Sequence, residues 1–332
     1  MSIKAIALIS GGLDSLLAAK VVQAQDIDVL GVAFVMAPAS TDIDRTAEEI
    51  KEISEKAGVP VKVADISEDF VEMMKDPPHG FGSEMNPCID CKIMMMRKVK
   101  AMMEAEEARF VVTGEVLGER PMSQNRQSLQ LIQKVSGLGD VLLRPLSAKL
   151  LDETAPEKEG LVDRGRLHDI QGRSRKPQLA LAKKYGIKKY SPPGVSCLLT
   201  DPGFSARIKD LARHEGLSVE NIELIKIGRQ FRLDEKTRAI VGRNEQENEK
   251  LCEAQSGDDL LFRFSEDLPG PDVLLRGKGD DENIKKAASF VVSYSKYRDK
   301  PSMEIAYWRD GGEERTMVVP PLPEEEIEEY RI

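Results

Sequence analysis

The sequence predicts an α/β protein, a doubly wound parallel sheet followed by a smaller α+β domain. In the first half, short β-branched apolar runs alternate with amphipathic stretches, the pattern of a parallel sheet covered by helices. The first of these runs leads through a Gly-rich turn directly into a helical pattern. Near Gly228 the style changes to short strand-like runs with turn signals between them. At 332 residues the chain has room for two separate cores.

Taken in order, strands are expected at Ala5 to Ile9, Val29 to Met36, Val59 to Ala64, Phe110 to Thr113 and Val141 to Leu143. Helices fit between them at Asp14 to Gln25, Asp42 to Ala57, Cys91 to Glu106 and Gln124 to Val135. After Pro145 the chain turns helical and basic, through Ala148 to Lys158 and Lys176 to Tyr185. The run YSPPGVSCLLTDPG breaks any helix, because Pro lacks a backbone donor and Gly leaves the chain unrestrained. Helices at Ser205 to Glu215 and Val219 to Ile225 follow. Beyond them come a hairpin around Asp234 to Thr237, a helix at Glu245 to Ala254, strands near Leu260 and Val273, a helix at Asp281 to Ser295, and a final pair of strands. The expected domains are 1–200, a helical connector at 201–226, and 227–332.

Hydrophobic residues make up 41% and charged residues 32%, a globular balance, and no apolar run approaches the roughly 18 residues of a membrane helix. With no leader-like start, a cytoplasmic protein without membrane association is expected. The net charge of -9 argues on its face against nucleic acid, but the average hides the distribution. Between Arg164 and Lys189 stand nine basic residues and the single acid Asp169, whereas acid gathers in the closing PLPEEEIEEYRI. Arg173, Arg175 and Lys176 in that basic stretch are candidate RNA contacts, set against a plain solvated face.

The turn is Ser10-Gly11-Gly12-Leu13-Asp14-Ser15. After a strand and before a helix, its amides converge where the helix terminus is partially positive, which suits a phosphate chain. The glycines permit close approach, and Asp14 is placed to hold Mg2+ or to order the loop. The spacing is not that of a Walker loop, which ends in Gly-Lys-Ser/Thr. SGGLDS resembles the signature of the PP-loop ATPases, of HUP-type fold, which cleave ATP to AMP and pyrophosphate and leave the adenylate on a substrate oxygen.

Thr113-Gly114-Glu115-x-x-Gly118 with Ser123-Gln124, and Leu143-Arg144-Pro145-Leu146, resemble segments of the 4-thiouridine synthase (ThiI) family. That resemblance implies a nucleotide contact at Gly114. The sequence departs from it at Glu119-Arg120, where the family prefers a glutamine.

Four cysteines are too few for a disulfide framework in a chain this long and suggest thiol or metal chemistry. Cys88 and Cys91 form a C-x-x-C at a helix start, where the dipole and Lys92 favour thiolate. Asn86-Pro87-Cys88-Ile89-Asp90-Cys91 resembles the NP-x-x-x-C motif of the 2-thiouridylases (MnmA family), with Cys88 where aspartate is usual, and Cys197 occupies the place of the second essential cysteine. Two chemistries follow. Cys88, Cys91 and Cys197 hold a [4Fe-4S] cluster with one iron free, or one cysteine carries a persulfide that another resolves. The third thiol favours the cluster. Cys252 reads as a buried small hydrophobe, and His79, His168 and His214 show no ligand spacing.

From Ile240-Val241-Gly242-Arg243-Asn244 through Asn248, Asp259, Leu268-Pro269-Gly270 and Val273-Leu274-Leu275-Arg276, the C-terminal part resembles the NFACT-R RNA-binding domain. Arg229, Arg232, Arg238 and Arg243 are its candidate phosphate contacts. The resemblances imply an ATP- and Mg2+-dependent tRNA sulfurtransferase, with 4-thiouridine preferred to 2-thiouridine as product. Its sulfur would come from hydrosulfide or a cysteine desulfurase, and the sequence leaves its oligomeric state open. The competing functions are sulfur insertion into a small molecule, and RNA binding by a decayed nucleotide fold.

Overall fold

The computed structural model describes residues 3–191, 197–266 and 268–332, in two compact units, Met1–Asp201 and Pro202–Ile332. In the first unit five parallel strands lie in the order β3-β2-β1-β4-β5: β1 (Lys4–Leu8), β2 (Asp28–Val35), β3 (Val61–Asp65), β4 (Phe110–Val112) and β5 (Leu142–Leu143). The helices are α1 (Leu13–Gln23), α2 (Ile43–Lys56), α3 (Ser67–Lys75), α4 (Cys88–Ala105), α5 (Arg126–Val135), α6 (Ala155–Lys158) and α7 (Lys176–Tyr185).

Burial on both faces explains why the strands read as nearly continuous apolar runs. Ala5 and Ala7 pack with Leu16, Leu17 and Val21 of α1, while Ile6 between them packs with Ile93, Met96 and Val99 of α4. The order reverses between β1 and β4, so the loops leaving these two strands face one crevice, where open α/β sheets bind ligands.

Two expectations change. The helix expected over Ala148 to Lys158 shrinks to a 3-10 turn at Ala148–Leu150 and the four-residue α6. Pro156 fits only a first turn, where its missing donor costs nothing, so helix starts there under the Thr154–Glu157 capping box. Helix α3 was not anticipated; its buried Phe70, Val71 and Met74 supply the apolar stripe.

The second unit holds α8 (Pro202–His214), α9 (Val219–Lys226), α10 (Glu245–Glu253), α11 (Asp281–Ser293) and α12 (Glu324–Tyr330). Its six strands are β6 (Arg229–Arg232), β7 (Arg238–Val241), β8 (Leu260–Phe264), β9 (Val273–Arg276), β10 (Met303–Trp308) and β11 (Arg315–Val319), antiparallel in the order β11-β10-β8-β9-β7-β6. Side chains alternate between two cores: Phe262 and Val273 join Phe290 and Val291 of α11, whereas Leu261 and Leu274 join Leu224 and Leu251. The stretch read as a connector, 201–226, supplies α8 and α9. Asp210 of α8 and Glu215 just after it are partners of Arg232 and Arg238, so the compact unit begins at Pro202.

Candidate functional site

The loop Ser10 to Ser15 leaves β1 and enters α1 at Gly12, the N-cap, which offers no side chain to the helix amides. Those amides keep the partial positive charge of the helix terminus free for a ligand. Gly11 takes φ +74°, a left-handed turn that favours glycine, and its carbonyl accepts from Ser191 N at 2.9 Å. Ser15 Oγ donates to Gly12 O at 2.8 Å and accepts from Ser10 N at 3.2 Å, which stitches the loop closed. Leu13, fully buried, anchors it to the core.

Gly114, just beyond β4, lies against this loop. A Cβ there would stand 2.5 Å from Asp14 C and from Ser15 N. The structure thus brings together Gly114 and Ser10 to Ser15, two segments far apart in sequence. Asp14 Oδ1 is buried and makes no hydrogen bond among the described residues. Burial pushes the Asp14 carboxyl above its usual range, against the opposite pull of Arg175, Gln178 and Arg120.

Cys88 opens α4, its Sγ accepting from Asn86 Nδ2 at 3.1 Å, and Cys91 follows one turn on. Cys197 precedes a 3-10 turn at Leu198–Thr200. The Pro192 to Ser196 stretch of the helix-breaking run lies outside the described residues. Burial pushes the Cys91 thiol up to about 12, with Cys197 and Cys88 adding to the rise against Lys92. Burial likewise takes Cys197 to about 11, again with Cys88 beside it. The three thiols therefore neighbour one another. At Cys91 thiolate is not favoured, because desolvation, with Cys197 adding to it, outweighs the pull of Lys92. Among the described residues no three His, Cys, Asp or Glu side chains surround a single metal ion.

A buried ion-pair chain supports this end of the site. Lys92 Nζ lies 3.0 Å from Glu115 Oε1, and Arg144 Nε donates to Glu115 Oε2 at 2.9 Å. Arg144 also donates to Gln133 Oε1 at 2.7 Å and Leu129 O at 3.1 Å. Burial alone would raise the Glu115 carboxyl, but Lys92 and Arg144 hold it down at about 2. Arg144→Leu strands that charge and is expected to cost about 3–5 kcal/mol in urea unfolding; a loss under about 1 kcal/mol would contradict the pairing. Because the folded pKa is depressed, the pair's stabilisation is full above pH 4.5 and fades as pH falls toward 2.

Sequence reasoning missed His79, whose amide and ring Nδ1 reach Asp90 of the C-x-x-C at 2.9 and 2.7 Å. The separation of eleven residues across a loop gave no ligand pattern to find. Arg173 and Lys176 are exposed, as an RNA track requires, but Arg175 between them is half-buried and acts on Asp14.

In the second unit, Arg229 stacks on Tyr294 at 4.8 Å. Arg232 donates to Asp210 at 2.5 Å and Glu215 at 2.7 Å, and Arg238, 1% exposed, pairs with Glu215. Arg243 is bidentate on Glu247. Arg232, Arg238 and Arg243 are thus already neutralised, and a phosphate would have to displace their carboxylates. The sequence held no sign of this, since the partners of Arg232 and Arg238 come from α8 and the residue just after it. Asn248 knits the RNA-binding resemblance together, donating to Gly270 O at 3.1 Å and accepting from Asp272 N at 3.0 Å. Cys252, read as buried, is exposed on α10.

Comparison with known proteins gives two family matches. Residues 1–152 match the family model described as thiamine biosynthesis protein (ThiI), and residues 228–331 match the NFACT protein RNA binding domain. A probable tRNA sulfurtransferase of Thermococcus kodakarensis is 26% identical over 152 residues, 43% of this chain and 36% of that protein. The tRNA-specific 2-thiouridylase MnmA of Acidithiobacillus ferrooxidans is 34% identical over 92 residues, 26% of each chain. The Rqc2 homolog RqcH of Bacillus subtilis is 30% identical over 69 residues, 20% of this chain and 12% of that one. The chain therefore spans about a third or less of the curated relatives it matches. A segment similar to ThiI and tRNA-sulfurtransferase relatives thus precedes an NFACT RNA-binding domain, the two resemblances read from the sequence.

Proposed function

We propose that this chain thiolates a tRNA uridine at the expense of ATP. The observation that carries the proposal is the junction at the β1–β4 crevice. There Gly114 packs against the SGGLDS loop, and Glu115 beside it pairs with Lys92, the residue after Cys91 in the thiol-bearing helix. The matches to ThiI and to the RNA-binding domain support RNA as the substrate.

ATP phosphates lie on the amides of Gly11 to Ser15. Mg2+ fits beside them, because Asp14 Oδ1 is a buried oxygen without a partner and hard cations take oxygen ligands. Bound there, it would offset phosphate charge. The uridine carbonyl oxygen attacks the α-phosphorus, its ring proton leaves, and pyrophosphate departs with the electrons of the broken P–O bond. Hydrosulfide, free or released by a thiol reductant from the persulfide of a cysteine desulfurase, then attacks the activated carbon. The C–O bond breaks toward AMP and the thiocarbonyl remains, so the sum is redox-neutral.

Three thiols that oppose one another's ionisation suit a group that binds them as thiolates. Cys88, Cys91 and Cys197 would hold a [4Fe-4S] cluster, which would supply an iron for hydrosulfide. Anaerobic purification is then expected to give a brown protein with iron and labile sulfide. A colourless, iron-free sample would return the chemistry to a persulfide.

4-Thiouridine is favoured as the product, since TGE and LRPL are both present and joined through Glu115 and Arg144. Mass spectrometry of tRNA nucleosides from cells lacking the gene tests the whole proposal. Loss of 4-thiouridine is expected, and an unchanged set of thiolated bases would remove the tRNA assignment.

A further inference from the structure

We propose that Arg120 and Arg175 act as a guanidinium pair on the α-phosphate of ATP, Arg175 from the start of α7 and Arg120 from the loop after β4. This deepens the proposed ATP-dependent activity and rests on it.

Three side chains carry buried polar atoms without partners. Gln178, 0% exposed, completes no hydrogen bond at either amide atom, nor does Gln124, 5% exposed, at Oε1, nor Asp14 at Oδ1. Such groups lose their hydration and gain nothing until a ligand or ion meets them. Arg175 Nε is orphaned in the same way. Arg175 is the residue before α7, and Gln178 lies in that helix's first turn, so a single turn brings both to Asp14.

The loop bearing Arg120 is tied to the segment bearing Arg175. Leu117 and Gln171 form a bridge, and Gly172 N donates to Leu117 O at 2.7 Å. Within that loop Gly118 N donates to Gln124 O at 2.7 Å and Gln124 N to Arg120 O at 2.9 Å, fixing the backbone that carries Arg120. Arg120 is exposed and makes no ion pair among the described residues. Gly114, in the same loop, packs on Asp14 and Ser15, which brings that loop to the phosphate site. A polyphosphate brings the negative charge that a guanidinium pair matches in planar, two-point fashion.

The departure from the ThiI pattern at Glu119-Arg120 acquires a purpose. In the first step Arg120 and Arg175 take up charge gathering on the α-phosphoryl oxygens as pyrophosphate leaves. In the second, Arg120 faces the AMP oxygen as the C–O bond breaks. Neither arginine gains or loses a proton.

The test uses the full chain with R120Q, R175Q, R175K and the exposed neighbours R173Q and K176Q. Binding of a fluorescent ATP analogue is measured without RNA, and pyrophosphate release and thiolated nucleoside with tRNA and sulfide. R175Q is expected to weaken analogue binding about 10- to 100-fold, the loss of a charge-assisted contact, with partial rescue in R175K. R120Q is expected to leave binding within about twofold and to slow product formation about 10- to 100-fold. R173Q and K176Q, at candidate RNA contacts, are expected to leave RNA-free analogue binding unchanged. If R175Q binds the analogue as R173Q does, or R120Q forms product as fast as the wild type does, the pair is overturned. If the wild type releases no pyrophosphate with any tRNA, the proposed activity falls instead, and the RNA-free comparison of R175Q with R173Q still decides the binding arm.

Discussion

Cys91→Ser and Cys197→Ser are each expected to lower thiolated-nucleoside formation about a thousandfold or more, while ATP-analogue binding stays within about twofold of wild type. The expected size follows from the loss of a sulfur-handling group that no neighbouring side chain replaces. Both cysteines are half-buried and interact with Cys88 rather than with the phosphate loop, so nucleotide binding has no reason to follow. Cys88→Ser separates the two chemistries. If three thiolates hold one group, it fails as completely as the others; if a persulfide on one cysteine is resolved by another, it keeps most of its activity. Retention of full thiolation by Cys91→Ser would end the assignment of the thiol site altogether.

Gly114→Ala is expected to abolish ATP binding, at least about 100-fold in affinity, although it adds one methyl group far from SGGLDS in sequence. That methyl would sit 2.5 Å from two backbone atoms of Asp14 and Ser15, and 2.6 Å from Asp14 O. A side chain can rotate away from such a contact, but a loop held by Ser15 Oγ to Gly12 O and by Ser191 N to Gly11 O cannot move without losing its shape. A methyl on Gly12, inside the motif itself, would meet only Ser10 Oγ at 3.4 Å, so there the fold tolerates the side chain better than at Gly114. Equilibrium binding of an ATP analogue to Gly114→Ala, with circular dichroism to verify folding, decides the point. An affinity within threefold of wild type would show that the close packing of the two loops is dispensable.

Much of this protein was legible locally. The parallel strands announced themselves as apolar runs because both faces of their sheet are buried, and each boundary fell within two residues of the structure. Helix α7 was placed from Lys176 to Tyr185, ended by Gly186 in the left-handed conformation. SGGLDS and the C-x-x-C were visible because their chemistry is carried by residues adjacent in the chain. Helix α3 escaped because it lies in a polar stretch, and the helix expected over Ala148 to Lys158 shrank to α6 because its start depends on a cap and a proline.

By itself, then, the sequence determined the layered α/β architecture, the phosphate loop, the identity of the thiols and the resemblance to two families. Side-chain partnership was decided only by the tertiary structure. The basic stretch looked uniform, yet Arg173 and Lys176 face water while Arg175 turns to Asp14. Arg229, Arg232 and Arg243 looked alike, yet two are neutralised by carboxylates and one lies on an aromatic ring. The helix-start thiol of Cys91 looked ionised, yet burial pushes it up. Charge depends on what stands a few ångströms away and on how much water remains, and neither is set by position along the chain.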